Sequence, residues 1–162
     1  MNYDLDKAAK HIVHDYAYLV AAGHHAQNPL RHPLNHYAER TFLVHCRAFA
    51  KFFENGNDTR DMYAKHFIDQ PVNDQCLQTW GKWHDHVDKH LAHLSIARIT
   101  NTRPWTGDDN KEILEGFRRL WRDFYSKLKP DVRSAFDTEI ANMQRQFPDV
   151  PLAMATPTAE SV

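Results

Sequence analysis

From Asn73 to Thr100 the chain reads NDQCLQTWGKWHDHVDKHLAHLSIARIT, and its apolar residues recur every three or four positions. That spacing matches the 3.6-residue turn of an α-helix and not the two-residue alternation of a half-buried strand. Leu77, Trp80, His84, Val87, Leu91 and Leu94 share one face of such a helix, and Trp83 stands at its margin. The same period returns along most of the chain, and no stretch alternates for long enough to form a strand. Short connections between amphipathic helices favour antiparallel neighbours. The expected fold is therefore all-α: an up-and-down bundle of four main helices plus one short extra helix. The helix over 73–100 is its expected central wall.

The remaining helices follow from caps and breakers. Asp4 is a suitable N-cap for a first helix whose core face is Leu5, Ala9, Ile12, Tyr16 and Leu19. That helix should stop between Gly23 and Gln27, because NPLRHP follows with two prolines. Asn35 can cap a second helix ending at Gly56. Its apolar arc is Tyr37, Thr41, Phe42, Ala48, Phe49 and Phe52, with His45 inside the arc and Arg40 at the edge. A short helix over 60–67 and a loop, QPVND, come next. Asp108 or Asp109 then caps a helix that buries Ile113, Phe117, Leu120, Phe124 and Leu128. Pro130 opens the last helix, where its missing N–H costs nothing. The stripe of that helix is Val132, Phe136, Ile140, Met143 and Phe147. One domain over 1–147 is expected, and the proline-containing tail 148–162 is expected to be disordered.

Composition narrows the function classes. The 162 residues are 42% apolar and 25% charged, ordinary for a soluble globular domain. No apolar run approaches the roughly 20 residues that span a bilayer, so no membrane partner is expected. MNYDLDKAAKH has neither the basic nor the apolar segment of a secretory signal. Cys46 and Cys76 sit in helical patterns and read as reduced thiols, which points to a cytoplasmic protein. A net charge of -1 supplies no global pull towards nucleic acid, so an RNA binder must segregate its charge locally. The unusual count is histidine, at 12 residues.

Three of these histidines make a second stripe on the 73–100 helix. Relative to His86, His90 lies about 40° round the axis and His93 about 20° the other way. Imidazoles three and four residues apart converge on one point, and His86, His90 and His93 are therefore candidate ligands for a transition metal such as zinc. The Glu-x-x-His pairs of carboxylate-bridged bundles do not occur in the chain. A solvated stripe without a ligand is the competing reading.

The string Asp88-Lys89-His90-Leu91-Ala92-His93-Leu94, followed by Arg98, resembles a pattern in small bacterial helical proteins, some of them in the HEPN superfamily with its abortive-infection members. That resemblance implies a helical bundle, often dimeric, and in many members a metal-independent ribonuclease with an Arg-x(4 to 6)-His motif. It implies His93 as acid–base and Arg98 on phosphate, without a cofactor. The spacing itself occurs at Arg40–His45, which makes Arg40 and His45 a second candidate pair. Imidazole exchanges protons near neutral pH, and guanidinium grips phosphate with two parallel hydrogen bonds. RNA and a second copy of the chain are the implied partners. A non-catalytic dimerisation or interaction module is the third reading.

Two basic clusters complete the survey. Arg118, Arg119, Arg122, Lys127 and Lys129 are interleaved with acids, as on a solvated face. Arg103 and Trp105 form a small basic–aromatic patch in the loop after Thr100.

Overall fold

The computed structural model describes residues 4–27, 34–54, 56, 58, 61–73, 78, 80–84, 87, 106–150 and 152, with side chains omitted at 34–36. Four long helices carry the fold: α1 (Leu5–Gln27), α2 (Leu34–Phe53), α3 (Gly107–Ser126) and α4 (Pro130–Gln146). A single 3-10 turn, Ala64–His66, follows α2, and residues 80–84 are helical. Over the described residues the fold is an all-α, up-and-down bundle of four main helices with a short extra one. No helix among the described residues is long and apolar enough to cross a membrane.

Among the described residues the central place belongs to α1; most of the stretch 73–100, expected to be the central wall, lies outside them. α1 packs closely on α2, α3 and α4. It can do so because Ala8, Ala9, Ala17, Ala21, Ala22, Gly23 and Ala26 are all buried and small. A methyl group at Gly23 would stand 2.7 Å from the Phe42 ring and 3.2 Å from Leu114, so three helices meet where a side chain would not fit. The expected face of α1 is buried except for Leu5, which is partly covered. Asp4 caps it, accepting from the Lys7 amide at 3.2 Å.

α3 supplies the bulk that α1 lacks. Ile113, Leu114, Phe117, Leu120, Trp121 and Phe124 are buried along it. Trp121 stacks on Tyr16 at 4.3 Å, and Phe49 of α2 stands edge-on to Phe117 at 5.9 Å. The cap of α3 is Thr106, two residues before Asp108 and three before Asp109, the acids expected to provide it. Asp109 is the reciprocal partner, accepting from the Thr106 amide at 2.9 Å, so both ends of a capping box are made. Pro130 opens α4 as expected.

Two irregular segments close the core. Phe67 accepts from the Lys129 amide, and Lys127 accepts from the Asp69 amide, around an isolated bridge between Ile68 and Leu128. This pairing straps residues 61–73 across the α3–α4 turn. Of the tail 148–162, expected to be disordered, residues 148–150 and 152 are described, and Val150 and Leu152 are buried on the bundle; 151 and 153–162 lie outside the described residues. The side chain of Gln144 explains why. Its Nε2 donates to the carbonyls of Phe147 and Val150, and its Oε1 accepts from the Leu152 amide.

Candidate functional site

α2 has two faces with opposite fates. Phe42, Leu43, Cys46, Phe49, Ala50 and Phe53 face the core and are buried. Tyr37, Arg40, Thr41, Val44, Arg47, Ala48 and Lys51 are exposed. The apolar arc expected from sequence included Tyr37, Thr41 and Ala48, so the buried sector is rotated from the expected one. Its position follows from shape: the Phe42 edge of α2 is the one that seats against Gly23 of α1.

The exposed face opens into a groove of about 750 Å³. Arg40, Val44, Arg47 and Lys51 line it from α2, and Trp80 and His84 line it from the helical residues 80–84. Trp80 is half-buried, its ring 5.3 Å from Phe117, and His84 stands edge-on to it at 5.9 Å. An ion pair from Lys82 to Glu112 at 2.8 Å ties this wall to α3. His84 was expected on the buried stripe. The structure buries Val87 as expected, at 0% exposed, but it buries Trp83, at 2%, where His84 was expected, and leaves His84 exposed in the groove. Burial favours the larger apolar side chain, and indole removes far more apolar surface from water than imidazole does.

Charge is segregated around this groove. Three cations line it against one carboxylate, Glu54. Lys51 also reaches Asp61 at 2.9 Å, and that hydrogen bond raises the pKa of its ammonium. The acids gather elsewhere: Asp6, Asp131 and Glu139 line a separate groove between the start of α1 and α4. A chain with net charge -1 therefore still presents a locally basic surface.

His45 lies on a different side of α2 from Arg40, about 140° round the axis at five residues' separation. The two residues of the Arg-x4-His spacing thus leave the helix on separate faces. The His45 Nδ1 is 3.5 Å from an Asp15 carboxylate oxygen, and its side chain is 23% exposed. Its ring stacks on Tyr18 at 5.7 Å, and Tyr18 meets Phe147 edge-on at 5.5 Å. His14 lies 6.4 Å from Tyr18. His45 was expected inside the apolar arc; it sits at the margin of the core, facing an acid.

His86, His90, His93 and Arg98, with Arg103 and Trp105, lie outside the described residues. Among the described residues no group of three or more potential ligands is placed to hold a metal ion. The basic cluster of α3 is engaged locally: Arg118 pairs with Glu115 at 2.7 Å, and Lys127 with Asp123 at 2.9 Å. Lys129 donates to the His66 carbonyl at 3.0 Å. Burial raises the pKa of the Cys46 thiol and of the Tyr16 hydroxyl, which suits packing and not chemistry. Comparison with protein-family models, curated proteins and solved structures finds no match.

Proposed function

We propose that this chain is a helical-bundle nucleic-acid-binding protein whose groove along α2 seats RNA. One observation carries the reading: Arg40, Arg47 and Lys51 line a single open groove with Trp80 and His84. Guanidinium and ammonium groups neutralise phosphates and release their counterions, and aromatic walls accept bases. The cations at 40, 47 and 51 extend over about 16 Å of helix, enough to follow a backbone and more than one isolated anion requires. The separate acidic groove satisfies the charge segregation that such a binder needs at a net charge of -1. The resemblance around Asp88 to Arg98 points to RNA as well.

The test is fluorescence anisotropy with a labelled 20-nucleotide RNA at low salt. Binding is expected for the wild type, with a loss of roughly 25-fold at ~0.1 M salt when Arg40→Ala and Arg47→Ala are combined, from two lost phosphate contacts. Absence of binding by the wild type across RNA pools contradicts the proposal.

A cleavage role within this reading falls to His45. An acid facing Nδ1 favours the tautomer that leaves Nε2 as the proton acceptor. In metal-independent cleavage the 2′-oxygen attacks phosphorus and its proton passes to the imidazole; the bond to the 5′-oxygen breaks, that oxygen takes a proton from water to leave as a hydroxyl, and a 2′,3′-cyclic phosphate remains. RNA cleavage in EDTA that disappears in His45→Gln supports this role; cleavage undiminished in His45→Gln rejects it.

A further inference from the structure

The same face of α2 carries a second row, and it bears on which nucleic acid the groove takes. Arg40, Arg47 and Lys51 lie within about 40° of one another round the axis. Tyr37, Thr41, Val44 and Ala48 form a parallel row centred about 70° away, spaced four, three and four residues apart. Tyr37 is 64% exposed and Val44 55% exposed. They are two of the three large apolar side chains most exposed among the described residues, and the third, Tyr18, stacks on His45 of the same helix.

We infer that α2 selects single-stranded over double-stranded nucleic acid, with phosphates on the cation row and unpaired bases on the row from Tyr37 to Ala48. This rests on the nucleic-acid reading above and names its substrate class. A single strand has two chemically different edges, a charged backbone and open base faces. Two adjacent rows, one cationic and one apolar, match those edges. A duplex keeps the stacking faces of its bases inside and shows only their edges, within the grooves, so on a convex helix face it engages chiefly the cation row through its phosphates. Electrostatics alone does not give this preference, because a duplex carries the denser charge and gains more from counterion release per contact. A preference for single strands therefore reports on the apolar row.

Charge also decides against the other occupant such a row could take, a second copy of α2. An isologous antiparallel pairing presents the same edge of each helix to its mate, so Arg40, Arg47 and Lys51 would meet their own counterparts. A polyanion meets that edge with the opposite sign.

The experiment compares one RNA sequence as a single strand and as a blunt duplex, at equal salt, against the wild type, Tyr37→Ala, Val44→Ser and Arg40→Ala/Arg47→Ala. All substituted side chains are exposed, and circular dichroism melting confirms that the fold is kept. The wild type is expected to bind the single strand at least about tenfold more tightly. Tyr37→Ala and Val44→Ser should each remove several-fold of single-strand affinity and leave duplex affinity unchanged, whereas the arginine variant weakens both. Equal affinity for the two forms, or no effect of Tyr37→Ala and Val44→Ser, overturns the inference while leaving nucleic-acid binding intact. Binding of neither form, with concentration-dependent dimerisation lost in Val44→Ser, overturns both.

Discussion

The inner and outer faces of α2 are built from the same kind of pattern and do different work. Both carry apolar residues at spacings of three and four. On the inner face Phe42, Phe49 and Phe53 fill the space that small residues of α1 leave open, and none of the three is more than 5% exposed. On the outer face Tyr37 and Val44 stay in water beside a row of cations. Helical periodicity reports that a face can be buried; the neighbour decides whether it is. The proposed nucleic-acid role rests on this exposed row lying next to like charges.

The strongest way to break this contrast is to truncate each face in turn. Phe49→Ala removes a ring that touches Tyr16, Phe53, Phe117 and Trp121, and should cost about 3–5 kcal/mol in urea denaturation. Val44→Ala should change stability by less than about 0.5 kcal/mol. If the two losses were equal, the assignment of inner and outer faces would be wrong.

Next in size is the contact that orients α2. Gly23→Ala forces a methyl group against the buried Phe42 ring, an overpacking cost only partly offset by alanine's higher helix propensity. A net loss of roughly 1–2 kcal/mol is expected. Nucleic-acid affinity should fall with it if the Phe42 edge sets the orientation of the outer face. Unchanged stability would show that α1 and α2 approach less closely than described.

A smaller effect concerns pH. His66 accepts a hydrogen bond from the Tyr63 amide at its Nδ1, which requires that nitrogen to be unprotonated. Burial, with the nearby charges of Lys65 and Lys129, lowers its pKa. The unfolded chain therefore takes up this proton first as pH falls. The contribution of His66 to stability is complete above the unfolded value of about 6.5 and is lost as pH falls from there through the lower folded value. Thermal melts of the wild type and His66→Gln between pH 5 and 8 should converge on the acid side; parallel curves would rule out this role. The smallest expected signal is chemical. In a Cys76→Ser background, Cys46 should resist thiol reagents until the protein is unfolded, and rapid native labelling would contradict its burial.

Much of the fold was legible because long amphipathic helices announce themselves. The expected core residues of the 107–129 stretch, Val132, Phe136 and Met143 of the last helix, the Pro130 start and the Asp4 cap follow from period and cap chemistry, whereas the buried Leu114 and Trp121 lay outside the expected stripe. Three other features did not follow, each for a physical reason. The rotation of α2 depends on the small residues of α1, which periodicity does not weigh. The cap of α3 moved to Thr106 because a reciprocal pair with Asp109 satisfies two amides at once. The seating of Val150 and Leu152 depends on one glutamine side chain, Gln144, which has no signature in a proline-containing tail.

The site was less legible than the fold. Arg40 was singled out for phosphate, and the structure places it in the groove. Its company there is Arg47, Lys51 and His84, not His45. The spacing of Arg40, Arg47 and Lys51 by seven and four residues was available in the sequence, but it was masked by reading Tyr37, Thr41 and Ala48 as core. His45 lies beside Asp15, thirty positions away in sequence, and the two meet only once α1 and α2 are packed.

The most direct test of the claim that the outer face of α2 binds phosphates is the salt dependence of single-strand RNA affinity. Wild type and Arg40→Ala/Arg47→Ala are titrated from 50 to 500 mM salt alongside their urea denaturation curves. Two lost phosphate contacts should make the slope of log K against log salt shallower by about 1.4, with stability unchanged within about 0.5 kcal/mol. An unchanged slope, or a loss of affinity that appears only together with a loss of stability, would contradict the account.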